Sequence, residues 1–424
     1  MKQKSSAMLV AVAAAVLLSL TACSASPPAL LMADGVERVS VQLSGYPAEL
    51  ALLRASARKL GDALLADAGD AGSGNVIASP GSLLIALAML RAGASGETAA
   101  EMDIILGLPA ENRDEALNAL LTSLEAFDGD PGSVDENHPP QRPVLHTANG
   151  LFVDKGVPTG AGYLQSLARF YGTGVYPVDF QDEATTKPAI DVWVSKNTGG
   201  RIKKAPAEYS RDNTFSVLNA VYFASAWKVP FDAADTAELP FRLVDGQQVS
   251  VPTMASVQDI SSARGPGWQA VDLPYAEGFV MRILLPDLGD PGLGAQGRAD
   301  AGRVLEAATP APVLIYLPKW GQTSTFELRK IFAALGLQKM LQTETDFDSI
   351  QRRLTLRQAG QSVNVTVAEK GTVAAAVTQI NAEAVSGVAP SNVIRFDRPF
   401  QYEIIHIETG LPLFMGRVSD PRPS

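Results

Sequence analysis

The run Glu369-Lys370-Gly371-Thr372-Val373-Ala374-Ala375-Ala376, continued to Ala384, constrains the fold more than any other stretch of the chain. Its even positions are Thr372, Ala374, Ala376, Thr378, Ile380, Ala382 and Ala384, none charged and only Ile380 bulky. Its odd positions include Gln379, Asn381 and Glu383. A period of two marks a strand with one buried and one wetter face. Yet the residues are mostly Ala, which disfavours strands locally. A segment that fits a sheet without preferring one can stand outside it and enter later. The same residues also suit a small-residue loop or an Ala-rich helical turn, and the local pattern leaves these alternatives open.

Other motifs bear on that choice. Asn75-Val76-Ile77-Ala78-Ser79-Pro80-Gly81-Ser82 precedes Gly93-Ala94-Ser95-Gly96-Glu97-Thr98. Asp191-Val192-Trp193-Val194 is followed by Thr198-Gly199-Gly200-Arg201-Ile202, then by Leu218-Asn219-Ala220-Val221-Tyr222-Phe223 and Trp227. Leu273-Pro274-Tyr275, Ile283-Leu284-Leu285-Pro286, Leu317-Pro318-Lys319, Pro399-Phe400 and Leu413-Phe414-Met415-Gly416-Arg417-Val418 continue in order. Over residues 46–421 this series resembles the serpins, protease inhibitors whose reactive loop inserts into their own central sheet, with Glu369–Ala376 similar to the hinge of that loop. The resemblance implies an α+β fold of three β-sheets with about eight to nine helices and an exposed reactive loop.

The N-terminus reads as a processing segment. Lys2 and Lys4 form a basic region ahead of the apolar run Met8 to Leu20, which is short for a membrane span. Leu20-Thr21-Ala22-Cys23 resembles a bacterial lipobox, so residues 1–22 are expected to be a signal peptide and Cys23 the lipidated first residue. Several acyl chains on one Cys would give a durable anchor. Ser24, rather than Asp, after the Cys favours the outer membrane by analogy with lipoprotein sorting. Residues 23–45 then form a tether and 46–421 the serpin domain. Cys23 is the only Cys, so lipidation leaves no disulfide and the fold stands on its core. Of the 424 residues 46% are hydrophobic, enough for a large core, and no linker divides it. Residues 128–143 and 287–312 are rich in Pro, Gly and acidic residues and read as surface excursions.

A net charge of −10 without a basic stripe argues against nucleic acid. Residues 115–127 carry no Lys or Arg, so a polyanion cofactor of the kind some serpins bind through a basic helix is not supported. Apolar spacing predicts a helix over 47–65, with Leu50, Leu53, Ala57 and Leu60 on one face, and a deeply buried helix over 82–91. Amphipathic helices are expected at 98–106 and 114–127. Strand signals begin at Phe215 and cover 217–223, 280–285, 313–317, 363–367, 402–407 and 413–418. Helices first and strands later, without steady alternation, indicate α+β.

Catalytic patterns fail on inspection. Ser225-Ala226-Trp227-Lys228 is formally Ser-x-x-Lys, but Lys370-Gly371-Thr372 is the wrong order for the partner motif and Ser-Asp-Asn is absent. A periplasmic serine hydrolase therefore remains a remote alternative. His138, His146 and His406 are too separated for a metal site, and no Gly-x-Ser-x-Gly elbow accompanies them. Trp193 and Trp227 fit core packing better than a ligand-stacking pair. Neither an enzyme nor a bound cofactor is expected.

The resemblance implies an inhibitor consumed by its target, a monomer partnered with a serine protease through a covalent acyl-enzyme. The resemblance places the cleaved bond sixteen residues beyond Glu369, between Val385 and Ser386, with Ala384–Val385 the nearest competing bond. No Lys or Arg lies between Thr372 and Ile394, which disfavours trypsin-like targets and suits elastase-like or subtilisin-like ones. Ser79, Ser82, Asn219 and Gln361 are expected in the sheet's shutter, with Gln361 in place of the family's usual His, and Trp227 in the breach at the sheet's upper end. Val373 replaces a common hinge Glu, and Ser225 a frequent Gly. A non-inhibitory serpin, chaperone or carrier, is the alternative. Thr372 and the Ala residues after it argue against that reading, because such members tend to have bulky or charged hinges.

Overall fold

A computed structural model describes residues 25–69, 74–108, 111–135, 137–206, 209–288, 292–372 and 392–422. The first third is helical: α1 (Pro47–Asp67), α2 (Pro80–Arg91), α3 (Gly96–Leu106) and α4 (Arg113–Glu125). Pro47 and Pro80 open their helices at the position where a missing N–H costs nothing. The expected face of α1 is buried, and every residue of α2 from Pro80 to Leu90 is buried. Helices α5 (Ala161–Ser166), α6 (Glu183–Asn197), α7 (Ala295–Ala307), α8 (Leu328–Ala334) and α9 (Gln338–Gln342) follow.

The strands are β1 (Val76–Ala78), β2 (Val144–Asp154), β3 (Tyr176–Val178), β4 (Phe215–Ala226), β5 (Ala237–Arg242) and β6 (Gln248–Gly265). Then come β7 (Trp268–Pro274), β8 (Phe279–Pro286), β9 (Ala311–Pro318), β10 (Trp320–Glu327) and β11 (Leu356–Ala368). The two-residue β12 (Gly371–Thr372) precedes β13 (Val393–Arg395), β14 (Phe400–His406) and β15 (Leu411–Val418). One sheet has the order β10-β11-β12-β4-β2-β3. Strand β4 is buried along its whole length, as a central strand covered on both faces must be. One face takes α2 and the main core. On the other, Ile190, Trp193 and Val194 of α6 pack on Phe152, Leu218 and Ala220. The other strands form two sheets that share β6. Its Ser261–Gly265 end pairs with β7, and its earlier residues pair with β5 and β9. The α+β fold with three sheets is thus present.

Some expectations needed correction. Strands precede Phe215: β2 pairs with β4, and β3 pairs with β2 on its far side. The excursion at 287–312 contains α7, held by Ala301 and Leu305 packing with Trp268, Ala270 and Leu284. Residues 31–39 of the expected tether lie against the body. Leu31 bridges Val175, Val39 N–H donates to Arg169 O, and Arg38 Nε donates to Asn118 Oδ1 at 2.7 Å.

Candidate functional site

The sheet of β4 and β11 contains a parallel pair inside an otherwise mostly antiparallel ladder. It runs from Leu356 opposite Phe215 to Val363 opposite Val221. Above it the two strands part, and β12 sits between them. Thr372 pairs with Val367 on one side and Ser225 on the other; Gly371 pairs with Ala368 and Ala226. The start of the hinge is therefore already a strand of this sheet. Gly371 is required there, since a Cβ would overlap Ser225 O and lie 2.8 Å from Ala226 Cα. The described part of the hinge ends at Thr372. Val373 to Ala376, the Val385–Ser386 bond and Cys23 lie outside the described residues.

Side chains around β12 fix it from several elements. Thr372 is fully buried, and its Oγ1 is 2.6 Å from the Tyr275 hydroxyl. Tyr275 stacks on Trp227, with centroids 4.5 Å apart. Trp227 Nε1 donates to Ala368 O at 2.9 Å, and its backbone N–H to Lys370 O at 3.0 Å. Glu369 accepts from Thr236 Oγ1 and pairs with Lys319 Nζ at 3.0 Å, the pair nearly buried. Removing one partner would leave an uncompensated charge, which typically costs about 3–5 kcal/mol. Lys370 reaches outward to Asn137 O.

Lower in the same seam the expected shutter residues meet. The Ser79 N–H donates to Gln361 Oε1 at 2.9 Å, while Gln361 Nε2 donates to Ser79 O at 2.9 Å and Asn219 Oδ1 at 2.8 Å. Asn219 Nδ2 donates to Ser82 Oγ and to Asn149 Oδ1. Ser79 Oγ donates to Leu413 O at 2.7 Å. Gln361, Ser79, Ser82 and Asn219 are essentially inaccessible to solvent. An amide both donates and accepts, so Gln361 links the β11 side of the seam to β4 and to the start of α2. Asn149 completes the network and was not anticipated. Ser225, beside Thr372, is buried and donates to Ala226 O.

The remaining candidates are scattered. Trp193 packs edge-on to Phe152 and Tyr176, in a cluster separate from that of Trp227. His138 is exposed beside Asp135, His146 is on β2, and His406 is buried between β14 and its neighbours. Burial pulls His406 down to about 4. Among the described residues no group of three His, Cys, Asp or Glu side chains could hold a metal ion.

The family model for Serpin (serine protease inhibitor) matches residues 56–421. A serpin-like protein of Thermococcus kodakarensis is 32% identical, with 82% of this chain and 81% of the relative covered. Alpha-1-antiproteinase of Rattus norvegicus is 29% identical, with 82% and 84% covered. Among solved structures, the thermophilic serpin tengpin in its native state superposes with a TM-score of 0.75 at 22% identity, covering 93% of this chain and all of tengpin. Thyroxine-binding globulin complexed with thyroxine gives 0.75 at 22% identity, over 88% of this chain and 99% of its own. These two structures share the fold. With the family model over most of its length and protease inhibitors among its relatives, the chain belongs to the serpin family.

Proposed function

We propose that the protein is an inhibitory serpin that traps elastase-like or subtilisin-like serine proteases. The protease serine attacks the carbonyl of Val385, the bond to Ser386 breaks, and an acyl-enzyme forms. The freed hinge then continues β12 downward between β4 and β11. One observation carries this reading: Gly371 and Thr372 already occupy the head of that slot, above a parallel pair. An antiparallel strand entering there would replace the parallel ladder by two antiparallel ones, a slightly more favourable pairing. About twelve new backbone pairings at ~1 kcal/mol each supply on the order of 10 kcal/mol. That is comparable to the ~5–15 kcal/mol stability of a typical domain, enough to distort a tethered protease. Thr372, small and already turned into the core, supports inhibition over the carrier reading.

We propose further that Cys23 is acylated and holds the inhibitor at the outer membrane as a monomer. Intact mass of the mature protein would reveal the acyl chains. The principal test mixes the purified protein with elastase, subtilisin, trypsin and chymotrypsin. An SDS-stable complex with the first two, and a released fragment beginning at Ser386, is expected. Thr372→Arg would place a charge beside Tyr275 and should yield a substrate that is cleaved and released. Wild-type trapping stoichiometry in that variant would exclude insertion through this slot.

A further inference from the structure

His146 connects the sheet to the helix lying across it. Its Nδ1 is 2.7 Å from Asp128 Oδ1, and its Nε2 is 2.9 Å from Asn197 Oδ1 at the end of α6. The Asn197 amide is independently oriented, because its Nδ2 donates to Trp193 O at 2.7 Å. Turning the amide would set two acceptors against each other there. Both ring nitrogens therefore face acceptors, and a neutral imidazole carries only one N–H. The imidazolium alone donates to both.

The clasp sits where it bears on the seam. Helix α6 packs on β2 and β4, and the chain beyond it crosses to β11, where a Cβ on Gly360 would lie 2.7 Å from Pro206 Cγ. Helix and extension thus strap β4 to β11 over the face that must open. Three residues along β2, Asn149 accepts from Asn219, so the same strand also enters the shutter. Charged and titratable groups surround His146 from each side. Glu125 ends α4, paired to Arg38 of the N-terminal segment, and Asp128 follows the helix. Arg142 donates to Ala126 O. On β4, Tyr222 lies opposite His146 with the Arg201 guanidinium over its ring.

We propose that protonated His146 clasps the end of α6 to β2, and that loss of the ring proton releases α6 and eases the parting of β4 from β11. A neutral ring would keep its charge-assisted bond to Asp128 and turn a lone pair on Asn197 Oδ1. The release of α6 stands on geometry alone; the effect on the seam rests on the loop-insertion reading above.

The test uses the full chain with ¹⁵N-labelled histidine, whose three rings are assigned by comparison with His138→Gln and His406→Gln. Ring ¹⁵N shifts and amide hydrogen exchange are followed from pH 5.5 to 8.5. Both nitrogens of His146 should be protonated at the acid end. Loss of the Nε2 proton should accompany about a tenfold rise in exchange over residues 194–202 beyond the intrinsic rate change. His146→Gln should remove that step, and the wild-type titration decides the matter if the variant does not fold. A singly protonated ring throughout, or exchange that follows only the intrinsic rate, overturns the proposal. If the step is present but no protease forms an SDS-stable complex at any pH, the clasp stands and the inhibitory reading fails. If complexes form and their rate of formation rises with the step, both stand.

Discussion

At Gln361 one amide serves three partners. It accepts from the Ser79 N–H and donates to Ser79 O and Asn219 Oδ1. Replacing it with Leu keeps the volume and orphans buried polar groups on both sides of the seam. Each orphan costs about 1–3 kcal/mol, so Gln361→Leu should lose roughly 2–5 kcal/mol in urea unfolding. An equally stable variant would mean that the network contributes nothing. Ser79, Ser82 and Asn219 were legible in the sequence because each falls in a motif of fixed order, and Gln361 because the resemblance places it where the family usually has a His, although they lie up to 282 positions apart. Asn149 was not, because the local pattern around it, His146-Thr147-Ala148-Asn149-Gly150, reads as neither an apolar alternation nor a family motif. Polar side chains in a central strand are tolerated when other elements satisfy them, and a single sequence does not display those elements.

Two residues make up β12, and its seating depends on the absence of a side chain. Gly371→Ala drives a Cβ into Ser225 O and the Ala226 backbone. Backbone has no rotamer with which to yield, so the hinge should be displaced from the sheet. The Trp227 N–H bond to Lys370 O and the Thr372 contact with Tyr275 would go with it. Hydrogen exchange at Trp227 and Thr372 should accelerate by at least tenfold, a loss of about 1.4 kcal/mol of local protection. Unchanged protection would show that the hinge is held by its neighbours rather than by this close approach. At the same scale most of the expected strands after Phe215 appear within a few residues of their predicted limits, since their apolar runs are long and bounded; β11 begins seven residues before the expected 363, where Gln358, Gln361 and Ser362 interrupt the apolar signal. Helix α7 was missed for the opposite reason. Its residues Ala295-Gln296-Gly297-Arg298-Ala299-Asp300-Ala301-Gly302 carry little hydrophobic signal, and only Ala301, Gly302 and Leu305 are buried. Tertiary packing decides such a segment, not propensity.

Global stability carries a pH dependence that the core imposes. His406 is buried against Phe127 and Phe279, with Nδ1 on Thr409 Oγ1 and Glu408 the nearby charge. Burial lowers it from 6.5 to about 4. Below 6.5 the unfolded chain binds the proton before the folded one does, so stability falls as pH drops from 6.5 toward 4 and this contribution levels off below that. The loss is on the order of 3 kcal/mol, and His406→Gln should remove it from the unfolding free energy measured between pH 4 and 7. A second whole-molecule consequence follows from the seam. In the intact protein β11 and β4 pair in parallel from Leu356 to Val363, with β12 alone between them above. Cleavage at Val385 by elastase frees the loop's upstream end without removing any residue. If that end extends β12 down the slot, the sheet gains a full central strand at the expense of one parallel ladder, and the buried small side chains of its even positions add to the core. A gain on the order of 10 kcal/mol should raise the melting temperature by roughly 10 °C or more. The cleaved chain should also lose the shutter's direct Gln361-to-Asn219 bond, because a strand now separates β11 from β4. Calorimetry of intact and cleaved protein, with the two fragments shown to remain associated, reads this directly. Equal melting temperatures would mean that the loop stays outside the sheet, and that the slot headed by Thr372 is a fixed feature of the fold rather than a track for insertion.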